Sequence, residues 1–285
     1  MQISISGSTG FIGKHLIKKF SEKGWKVNVI HRDSFRMPDE EFAENMINNA
    51  DVIINLAGAI IAKRWSTSWK KEIVDSRIET TRKIADGILL TQKKSRLFIS
   101  PSAVGIYDSI HRHDEESNFL SKGFLADVCR EWENQALRVK DSTRLVIFRT
   151  GVVLGNEGGV LQKLYPVFSK GLGGPIGNGK AMMSWIHIHD LVGAYLYVIG
   201  HGEIEGIINL VSPDVVTNHY FTRTLGKVLN MPAIVTVPLF LLKILYGEGA
   251  NALTTGQDAI PAKLIKNGFI FKYPTIEKAL MDLYK

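Results

Sequence analysis

The first thirteen residues, M-Q-I-S-I-S-G-S-T-G-F-I-G, constrain the fold of this chain more than any other stretch. Residues 1–5 alternate apolar and polar side chains as a strand does, and residues 16–20 have the apolar spacing of a helix. Gly7, Gly10 and Gly13 lie between them. Such glycines permit a tight turn, a close approach of the backbone to a phosphate, and close packing of helix on strand. The sequence therefore predicts a dinucleotide-binding turn, one residue longer than the G-x-G-x-x-G form.

The following part of the chain alternates predicted strands with predicted helices. We predict strands at 25–30, 51–58, 96–100 and 144–149, and helices at 41–48, 68–90 and 124–139. Strands that alternate with helices are joined by right-handed crossovers into one parallel sheet. The fold class is therefore predicted to be α/β, with a Rossmann-like doubly wound parallel sheet.

Beyond residue 150 the pattern changes, which predicts a smaller C-terminal α/β substrate lobe. A glycine-rich loop covers 167–180, W-I-H-I-H-D-L at 185–191 leads into a helix, and I-I-N-L-V-S at 207–212 resembles a strand. We assign residues 1–150 and about 182–200 to a nucleotide-binding Rossmann domain. Residues 151–181 and 201–285 form the predicted substrate lobe.

Composition narrows the class of protein. Apolar residues make up 45% of the chain and charged residues 22%, as in an ordinary globular domain. The net charge of +7 is spread without a basic tract, so we expect no nucleic-acid partner. The longest apolar stretch, 235–247, is too short to span a bilayer and contains Pro238 and Lys243. The single cysteine, Cys129, and a strand that starts at residue 1 predict a cytoplasmic protein without a signal peptide.

The end of the second predicted strand bears on the choice of cofactor. A carboxylate there would bond the ribose 2′-hydroxyl of NAD, but His31 and Arg32 follow Ile30. A guanidinium can pair with a 2′-phosphate, so NADP(H) is favoured over NAD(H). Two alternatives stay open, since Asp33 would approach the ribose if the strand ended elsewhere, and Arg32 could be a solvated loop arginine.

Five motifs, in order along the chain, carry a family resemblance. They are S-G-S-T-G-F-I-G (6–13), N-L-A-G (55–58), S-A-V-G-I-Y (102–107), R-T-G-V-V-L-G (149–155) and S-W-I-H-I-H-D-L (184–191). Together they resemble the extended short-chain dehydrogenase/reductase superfamily, the fold of nucleotide-sugar epimerases and dehydratases. The segments 64–77 and 124–133, and the C-terminal segment from about Pro238, are similar to the branch labelled epimerase family protein, the 39U1 type of short-chain dehydrogenase/reductase.

The resemblance implies roles for individual residues. The phosphate loop would comprise Gly7, Thr9, Gly10, Phe11, Ile12 and Gly13, with His31 and Arg32 at the 2′-phosphate. Leu56, Ala57 and Gly58 would face the adenosine side of the cofactor, and Ser100 the nicotinamide half. Glu72 and Arg77 would contact the cofactor, unless they are an ordinary pair on a surface helix. Arg149, Trp185, His187 and Asp190 would lie at the substrate cleft, although the tryptophan could equally be plain core.

The chain departs from the superfamily at the catalytic residues. The usual Tyr-x-x-x-Lys pair moves a proton while hydride passes to or from the nicotinamide. Here Phe124 or Leu125 falls at the tyrosine and Val128 or Cys129 at the lysine, so neither pair can do acid–base work. Ser102 lies one place from the usual serine, which leaves it and Tyr107 as weak candidates for catalysis. Tyr107 could instead be a loop aromatic, and Cys129 is expected to be a small buried hydrophobe.

Two functions therefore remain open from the sequence. The first is an NADP(H)-binding oxidoreductase or epimerase-like enzyme acting on a small carbonyl or a nucleotide-sugar-like substrate. The alternative is a non-catalytic NADP(H)-binding regulatory or sensor protein that acts through a partner. We predict no metal site, because the Asp108–His111–His113–Asp114 cluster lies in a polar loop without ligand geometry. The oligomeric state stays open, although the resemblance implies that a homodimer would form through the helices near 68–90 and 124–139.

Overall fold

The computed structural model describes residues 1–284, so Lys285, the last residue of the predicted substrate lobe, lies outside the described residues. The strands are β1 (Gln2–Ser6), β2 (Lys26–Ile30), β3 (Val52–Ile54), β4 (Leu97–Ala103), β5 (Arg112–His113), β6 (Arg144–Thr150), β7 (Val152–Gly155), β8 (Met182–Met183), β9 (Trp185–His187), β10 (Gly206–Leu210), β11 (Val216–Thr217) and β12 (Asp258–Ala259). The α-helices are α1 (Phe11–Glu22), α2 (Asp39–Phe42), α3 (Thr67–Leu90), α4 (Phe124–Leu137), α5 (Gly159–Phe168), α6 (Ile188–Gly200), α7 (Asn218–Val228), α8 (Leu239–Tyr246), α9 (Asn251–Thr254), α10 (Ala262–Lys266) and α11 (Ile276–Tyr284). Short 3₁₀ or π turns cover Arg32–Arg36, Ala43–Ile47, Val104–Ile106 and Gly247–Ala250.

Six strands form one parallel sheet in the order β10-β6-β4-β3-β1-β2. The chain runs from β1 outward to β2 and then crosses to β3 on the other side of β1. This reversal makes a crevice at the carboxyl ends of β1 and β3, where open α/β sheets bind their ligands. The α/β Rossmann-like fold predicted from the sequence is confirmed.

Helices bury both faces of this sheet. On one face, α1 and α6 bring Phe20 and Leu191 against Ile3 and Ile5 of β1. On the other face, α3 and α4 meet a second cluster that includes Ile53 of β3. Burying one such side chain stabilises the fold by about 1.5–3 kcal/mol, so the continuous apolar strands belong inside a covered sheet.

A further apolar cluster is formed by residues from outside the large sheet. It contains Leu161 of α5, Phe221 of α7 and Leu280 of α11, together with Trp185. The Thr217 side chain accepts the backbone N–H of Tyr220 at 3.1 Å and caps α7. No helix within residues 1–284 has the length and apolar character needed to cross a membrane.

Three elements differ from the sequence prediction. Strand β3 stops at Ile54 rather than at residue 58, because the next residues turn toward the end of β1. Residues Gly206–Leu210 join the large sheet beside β6, although the predicted substrate lobe includes them. Helix α5 was not predicted, because Gly158 and Gly159 at its start are poor helix formers and Pro166 lies inside it. The division into two domains otherwise stays a prediction.

Candidate functional site

The first and last glycines of the turn after β1 are packed too tightly to hold side chains. Gly7 has a φ of +68°, and a Cβ on it would lie 2.5 Å from the carbonyl oxygen of Leu56. A Cβ on Gly13 would lie 2.3 Å from the carbonyl oxygen of Gly7, whereas one on Gly10 would approach nothing closer than 3.2 Å. Gly10 begins α1 without a side-chain cap. The turn is therefore an open backbone cradle at the positive end of a helix, which suits a pyrophosphate.

The other predicted residues of this turn differ in their surroundings. Thr9 is exposed, and Ile12 packs against the core beneath the sheet. The ring of Phe11 lies against Gly155 and Gly158, where an added Cβ would come within 2.4 and 2.6 Å of it. Phe11 therefore joins the first turn of α1 to the chain beyond β6 by its side chain, which leaves only its backbone for a cofactor.

A buried polar network fixes the loop that follows β3. The Ser6 hydroxyl donates to Oδ1 of Asn55 at 2.5 Å and accepts the backbone N–H groups of Leu56 and Ala57 at 3.0 and 3.1 Å. The Asn55 side chain in turn donates to Thr81 of α3 at 2.8 Å. The predicted adenosine-side residues are thus held beside the glycine turn. Sequence reasoning missed Asn55 as the organising residue, although it lies within the N-L-A-G motif.

Arg77 projects from α3 toward Gly58 and carries a charge that no carboxylate in residues 1–284 pairs with. Its guanidinium donates to the carbonyl oxygens of Ala59 at 2.9 Å and Ile73 at 3.2 Å and lies 5.3 Å from the ring of Trp132. Burial lowers the pKa of Arg77 to about 10. A desolvated cation beside the nucleotide crevice is a natural partner for an anionic ligand.

Arg32 lies at the carboxyl end of β2 and reaches solvent, with 82% of its side chain exposed. Its guanidinium pairs with Glu72 of α3 at 3.0 Å, so two residues that the sequence assigns to the cofactor contact each other. Asp33, the competing candidate at this tip, pairs with Arg36 at 3.1 Å. His31 is exposed and precedes the 3₁₀ turn Arg32–Arg36. At this edge of the sheet, Arg32 is therefore an exposed cation that takes part in one ion pair, with Glu72.

A second buried network occupies the carboxyl ends of β4, β6 and β10. Glu133 of α4 receives two hydrogen bonds from Arg149, at 2.8 and 2.7 Å, and one from the Ser102 hydroxyl at 2.6 Å. Arg149 also donates to the Tyr107 hydroxyl at 2.9 Å, which lies 2.9 Å from Oδ1 of Asn209. Burial raises the pKa of Tyr107, and its charged and polar neighbours offset this only in part. Both weak catalytic candidates are therefore protonated, hydrogen-bonded members of one network.

Ser100 is buried in β4, where the sequence places it beside the nicotinamide half of a cofactor. Its hydroxyl is one of three buried side-chain polar atoms that lack a hydrogen-bond partner in the described chain; the others are Nε1 of Trp185 and Nε2 of His187. An unpaired buried hydroxyl costs free energy, so it commonly marks a place where a ligand or water supplies the partner.

The start of α4 replaces the usual acid–base pair with apolar groups. Phe124 meets the ring of Trp65 edge-on, with centroids 5.2 Å apart. Cys129 is buried, and burial raises the pKa of its thiol to about 11, so it is a small hydrophobe as predicted. The lone thiol cannot take the part of the missing lysine.

The residues predicted at the substrate cleft are buried. Trp185 and His187 are wholly inaccessible to solvent in β9, and Arg149 is held in the network of Glu133. Asp190 accepts the backbone N–H groups of Lys272 and Tyr273 at 2.8 and 2.9 Å. Their side chains therefore join segments of the fold and do not line an open cleft, because each is already engaged in packing or in a hydrogen bond. The assignment of this group to the cleft stays a prediction that burial does not favour.

The polar loop after β4 is explained by its own hydrogen bonds. Asp108 accepts the backbone N–H groups of Ile110 and His111 at 2.9 and 3.0 Å, and these bonds hold its pKa well below the usual range. His113 is buried, contacts Ser117 at 2.9 Å and stacks on Tyr107 with centroids 4.6 Å apart. The polar residues clustered in this loop therefore fix its conformation through hydrogen bonds within the loop.

A cavity of about 620 Å³ lies between the glycine-rich loop and the C-terminal segment. Its lining includes Ile176, Lys180, Leu239 and Thr255, and Ser109 brings it within two residues of Tyr107. Lys180 is the one charged side chain among the lining residues. The cavity therefore suits a small ligand with an acidic group and some apolar surface.

The sequence is similar to curated proteins along its whole length. It is 33% identical over 291 residues to the mouse epimerase family protein SDR39U1, covering 99% of each chain. It is 36% identical over 297 residues to the SDR39U1 homologue of Arabidopsis thaliana, described as chloroplastic, with 98% of this chain and 86% of the relative covered.

Solved structures share the fold. A crystal structure of the human epimerase family protein SDR39U1 with NADPH matches with a TM-score of 0.93 and 31% identity, covering 100% of this chain and 99% of that chain. The UDP-glucuronic acid 4-epimerase of Bacillus cereus, solved with NAD, matches with a TM-score of 0.77 at 15% identity, which shows the fold alone.

Family models divide the chain in two. A model described as a domain of unknown function (DUF1731) matches residues 237–283. This range begins next to Pro238, where the sequence analysis places the start of the C-terminal segment. The model of the NAD dependent epimerase/dehydratase family matches residues 3–210. The chain therefore belongs to the NAD dependent epimerase/dehydratase family, with an NAD(P)-binding Rossmann-type fold.

Proposed function

We propose that this protein binds NADP(H) across the carboxyl ends of β1, β2, β3 and β4 and acts as an oxidoreductase or epimerase-like enzyme. The observation that carries the proposal is the exposed guanidinium of Arg32 at the end of β2, where the two nearby carboxylates, Glu72 and Asp33, are each paired with an arginine. A 2′-phosphate at this place gains a charge-assisted hydrogen bond that a 2′-hydroxyl cannot offer. The NADPH bound by the similar human protein supports the same choice.

The residues present fit the rest of such a cofactor. The cradle of Gly7, Gly10 and Gly13 suits the pyrophosphate, because added Cβ atoms at its first and last glycines would collide with backbone. The unpaired hydroxyl of Ser100 would gain a partner from the nicotinamide half. When bound, the nicotinamide supplies or accepts hydride, and the protein must provide binding, orientation and a proton.

Proton transfer is the step at which this chain must differ from its superfamily, because the usual Tyr-x-x-x-Lys pair is absent. Ser102 and Tyr107 are the candidate proton donors that the sequence offers, and Tyr107 accepts a hydrogen bond from Arg149. The pKa of Tyr107 is raised, so its hydroxyl carries a proton at neutral pH that it would donate to a carbonyl oxygen during reduction and take back during oxidation. The cavity beside Ser109 is the proposed place of the substrate, with Lys180 toward its acidic group.

A specific observation favours a second candidate function, a non-catalytic NADP(H) sensor. Phe124 or Leu125 falls at the position of the missing tyrosine and Val128 or Cys129 at that of the missing lysine, and Tyr107 is wholly buried. In this case cofactor binding changes the affinity for a protein partner. The homodimer and the cytoplasmic location also stay predictions.

One experiment separates these functions. Protein freed of cofactor is titrated with NADPH and with NADH in a calorimeter, and the NADPH complex is then mixed with a panel of small aldehydes, ketones and keto acids. Loss of the reduced nicotinamide absorbance with one carbonyl, slowed at least tenfold by Tyr107→Phe, supports the enzyme. Tight binding without turnover supports the sensor. If neither dinucleotide binds, both proposals fail.

A further inference from the structure

The structure brings two histidines and an aspartate from distant parts of the chain to one place. His187 ends β9, His189 lies in the first turn of α6, and Asp282 lies in the C-terminal helix α11. Nε2 of His187 is 3.4 Å from Oδ2 of Asp282, and Nδ1 of His189 is 4.0 Å from the same oxygen. The ligand atoms of the three residues lie within 4.8 Å of one another. We propose that His187, His189 and Asp282 bind a divalent transition-metal ion of the zinc class.

The spacing of two of the three atom pairs is close to what such an ion requires, and the two histidine nitrogens lie within 4.8 Å of each other. Tetrahedral coordination with bonds of about 2.0–2.2 Å places ligand atoms roughly 3.3–3.6 Å apart. The His187–Asp282 pair already has this separation, and the His189–Asp282 pair needs a contraction of a few tenths of an ångström. His189 has 57% of its side chain exposed, so it has room to make this movement.

The buried histidine supplies an independent observation. His187 is wholly buried, and its Nε2 atom has no hydrogen-bond partner in residues 1–284. Its Nδ1 atom accepts the backbone N–H of His189 at 3.1 Å, so helix capping explains one ring nitrogen, while the other faces Oδ2 of Asp282 at 3.4 Å without forming a hydrogen bond. A metal ion beside Asp282 would satisfy Nε2, and burial accounts for a neutral ring, the form that binds metals.

The neighbouring side chains orient the carboxylate toward the same point. The Tyr273 hydroxyl donates to Oδ1 of Asp282 at 2.6 Å and leaves Oδ2 on the side of the histidines. The Tyr273 ring also packs on His187, with centroids 3.9 Å apart. Metal ligands are commonly held in this way by a second layer of hydrogen bonds and packing.

The donor set selects the kind of ion. Two imidazole nitrogens and one carboxylate oxygen suit zinc and its transition-metal neighbours, whereas calcium and magnesium prefer oxygen ligands. His189 and Asp282 face solvent, so water can complete the coordination. The nearby positive charge of Lys272 opposes a cation and would keep its affinity moderate.

Binding changes the protonation of the buried ring. Because Nδ1 of His187 accepts a backbone N–H, the proton of the metal-free ring lies on Nε2, toward Asp282. The ion replaces this proton, which moves to Nδ1, and the contact with the His189 N–H opens. The ion then ties α11 to the start of α6 in place of one helix cap.

The test uses the full-length protein, treated with a chelator and then titrated with Zn²⁺ and with Co²⁺. We expect one ion per chain after dialysis, a Co²⁺ absorption spectrum of four-coordinate intensity, and a higher melting temperature with metal. His189→Asn and Asp282→Asn should each weaken binding at least tenfold and abolish the gain in melting temperature. Both residues are partly exposed, so these variants should fold, whereas His187 is too buried to be a useful target.

His201→Asn is the matched control, since His201 lies beyond the other end of α6 and stacks on Tyr197. It should bind metal as the unaltered protein does. Retention of no metal, or equal uptake by His189→Asn and the unaltered protein, would overturn the proposal. The site lies outside the glycine cradle, so NADPH titration of the same variants reports separately on the proposed function.

Discussion

At the end of β2, Arg32 shares its guanidinium with Glu72, and the proposed preference for NADP(H) makes a prediction about this pair. Arg32→Ala removes a charge-assisted hydrogen bond of about 1.5–3 kcal/mol and should weaken NADPH binding about 10- to 100-fold while changing NADH little. Glu72→Gln removes the competing carboxylate. An exposed ion pair contributes about 0–1 kcal/mol, so this variant should bind NADPH up to about fivefold more tightly. Calorimetric titration with both cofactors measures these changes.

Arg36→Ala is the control for this pair of variants, because Arg36 lies in the same 3₁₀ turn, is equally exposed and pairs with Asp33. It should leave both affinities unchanged. An equal loss of NADPH and NADH binding in Arg32→Ala would remove the 2′-phosphate assignment.

The buried pair of Glu133 and Arg149 makes a prediction about stability. Their side chains are 7% and 6% exposed, and although burial opposes the charge of Arg149, its bonds to Glu133 raise its pKa overall. Glu133→Gln leaves a buried cation without a counter-ion and should lower the free energy of unfolding by about 3–5 kcal/mol in urea titrations. Arg138→Met, which breaks an exposed pair with Asp86, should cost less than about 1 kcal/mol. Equal effects of the two variants would show that the buried network contributes little.

Among the elements, the glycine turn is where substitutions should most clearly separate an effect on NADPH binding from an effect on folding. An added Cβ on Gly10 meets nothing closer than 3.2 Å, whereas one on Gly13 falls 2.3 Å from backbone. Gly10→Val should therefore keep the fold and its melting temperature but lose NADPH binding by at least about 100-fold, because the new side chain covers the cradle. Gly13→Ala should lower the melting temperature instead. Gly200→Ala, with open space around it, is the control; a Gly10→Val protein with unchanged affinity would refute the cradle.

The elements also show what the sequence could and could not predict. Apolar spacing located α3 and α4 within a few residues, since a long amphipathic pattern is a local property. The early end of β3 depends on hydrogen bonds between Asn55 and Ser6, far away in sequence, which no local pattern encodes. Helix α5 was hidden by its glycines and proline. The glycine turn was predictable because its geometry depends on three glycines that lie close together in the sequence.

For the whole molecule, the contacts that sequence reasoning missed are those between remote segments. Glu133, Arg149 and Tyr107 come from three elements, and only the fold shows that they share one network. The three residues of the proposed metal site are likewise separated along the chain. Family resemblance assigned Arg149 and His187 to a cleft, but it could not show that their side chains are buried.

One segment ties the cofactor crevice to the rest of the molecule. Residues 59–66, which we call the strap, begin beside Gly58 and run toward α5 and α8. Arg64 donates to the carbonyl oxygen of Ile244 at 2.8 Å, and Lys163 of α5 donates to the carbonyl oxygen of Ala62 at 2.9 Å. Arg77 holds the near end of the strap through the carbonyl oxygen of Ala59. Because the strap starts where the adenosine side is expected, a bound cofactor should leave only after these contacts open.

Arg64→Ala combined with Lys163→Ala removes both side-chain cross-links without touching the cradle, and only the backbone bond from Trp65 to Tyr246 is left among the hydrogen bonds of the strap to α8. We expect NADPH to dissociate about tenfold faster, since each lost hydrogen bond contributes about 0.5–1.5 kcal/mol to the closed state. Stopped-flow displacement of NADPH, followed by the fluorescence of the reduced nicotinamide, measures this rate. Lys63→Ala is the matched control, because Lys63 also belongs to the strap but its ammonium group lies over the Trp69 ring of α3, 3.5 Å from the ring centroid. An unchanged dissociation rate in the double variant, or the same acceleration in Lys63→Ala, would show that the strap does not gate the cofactor.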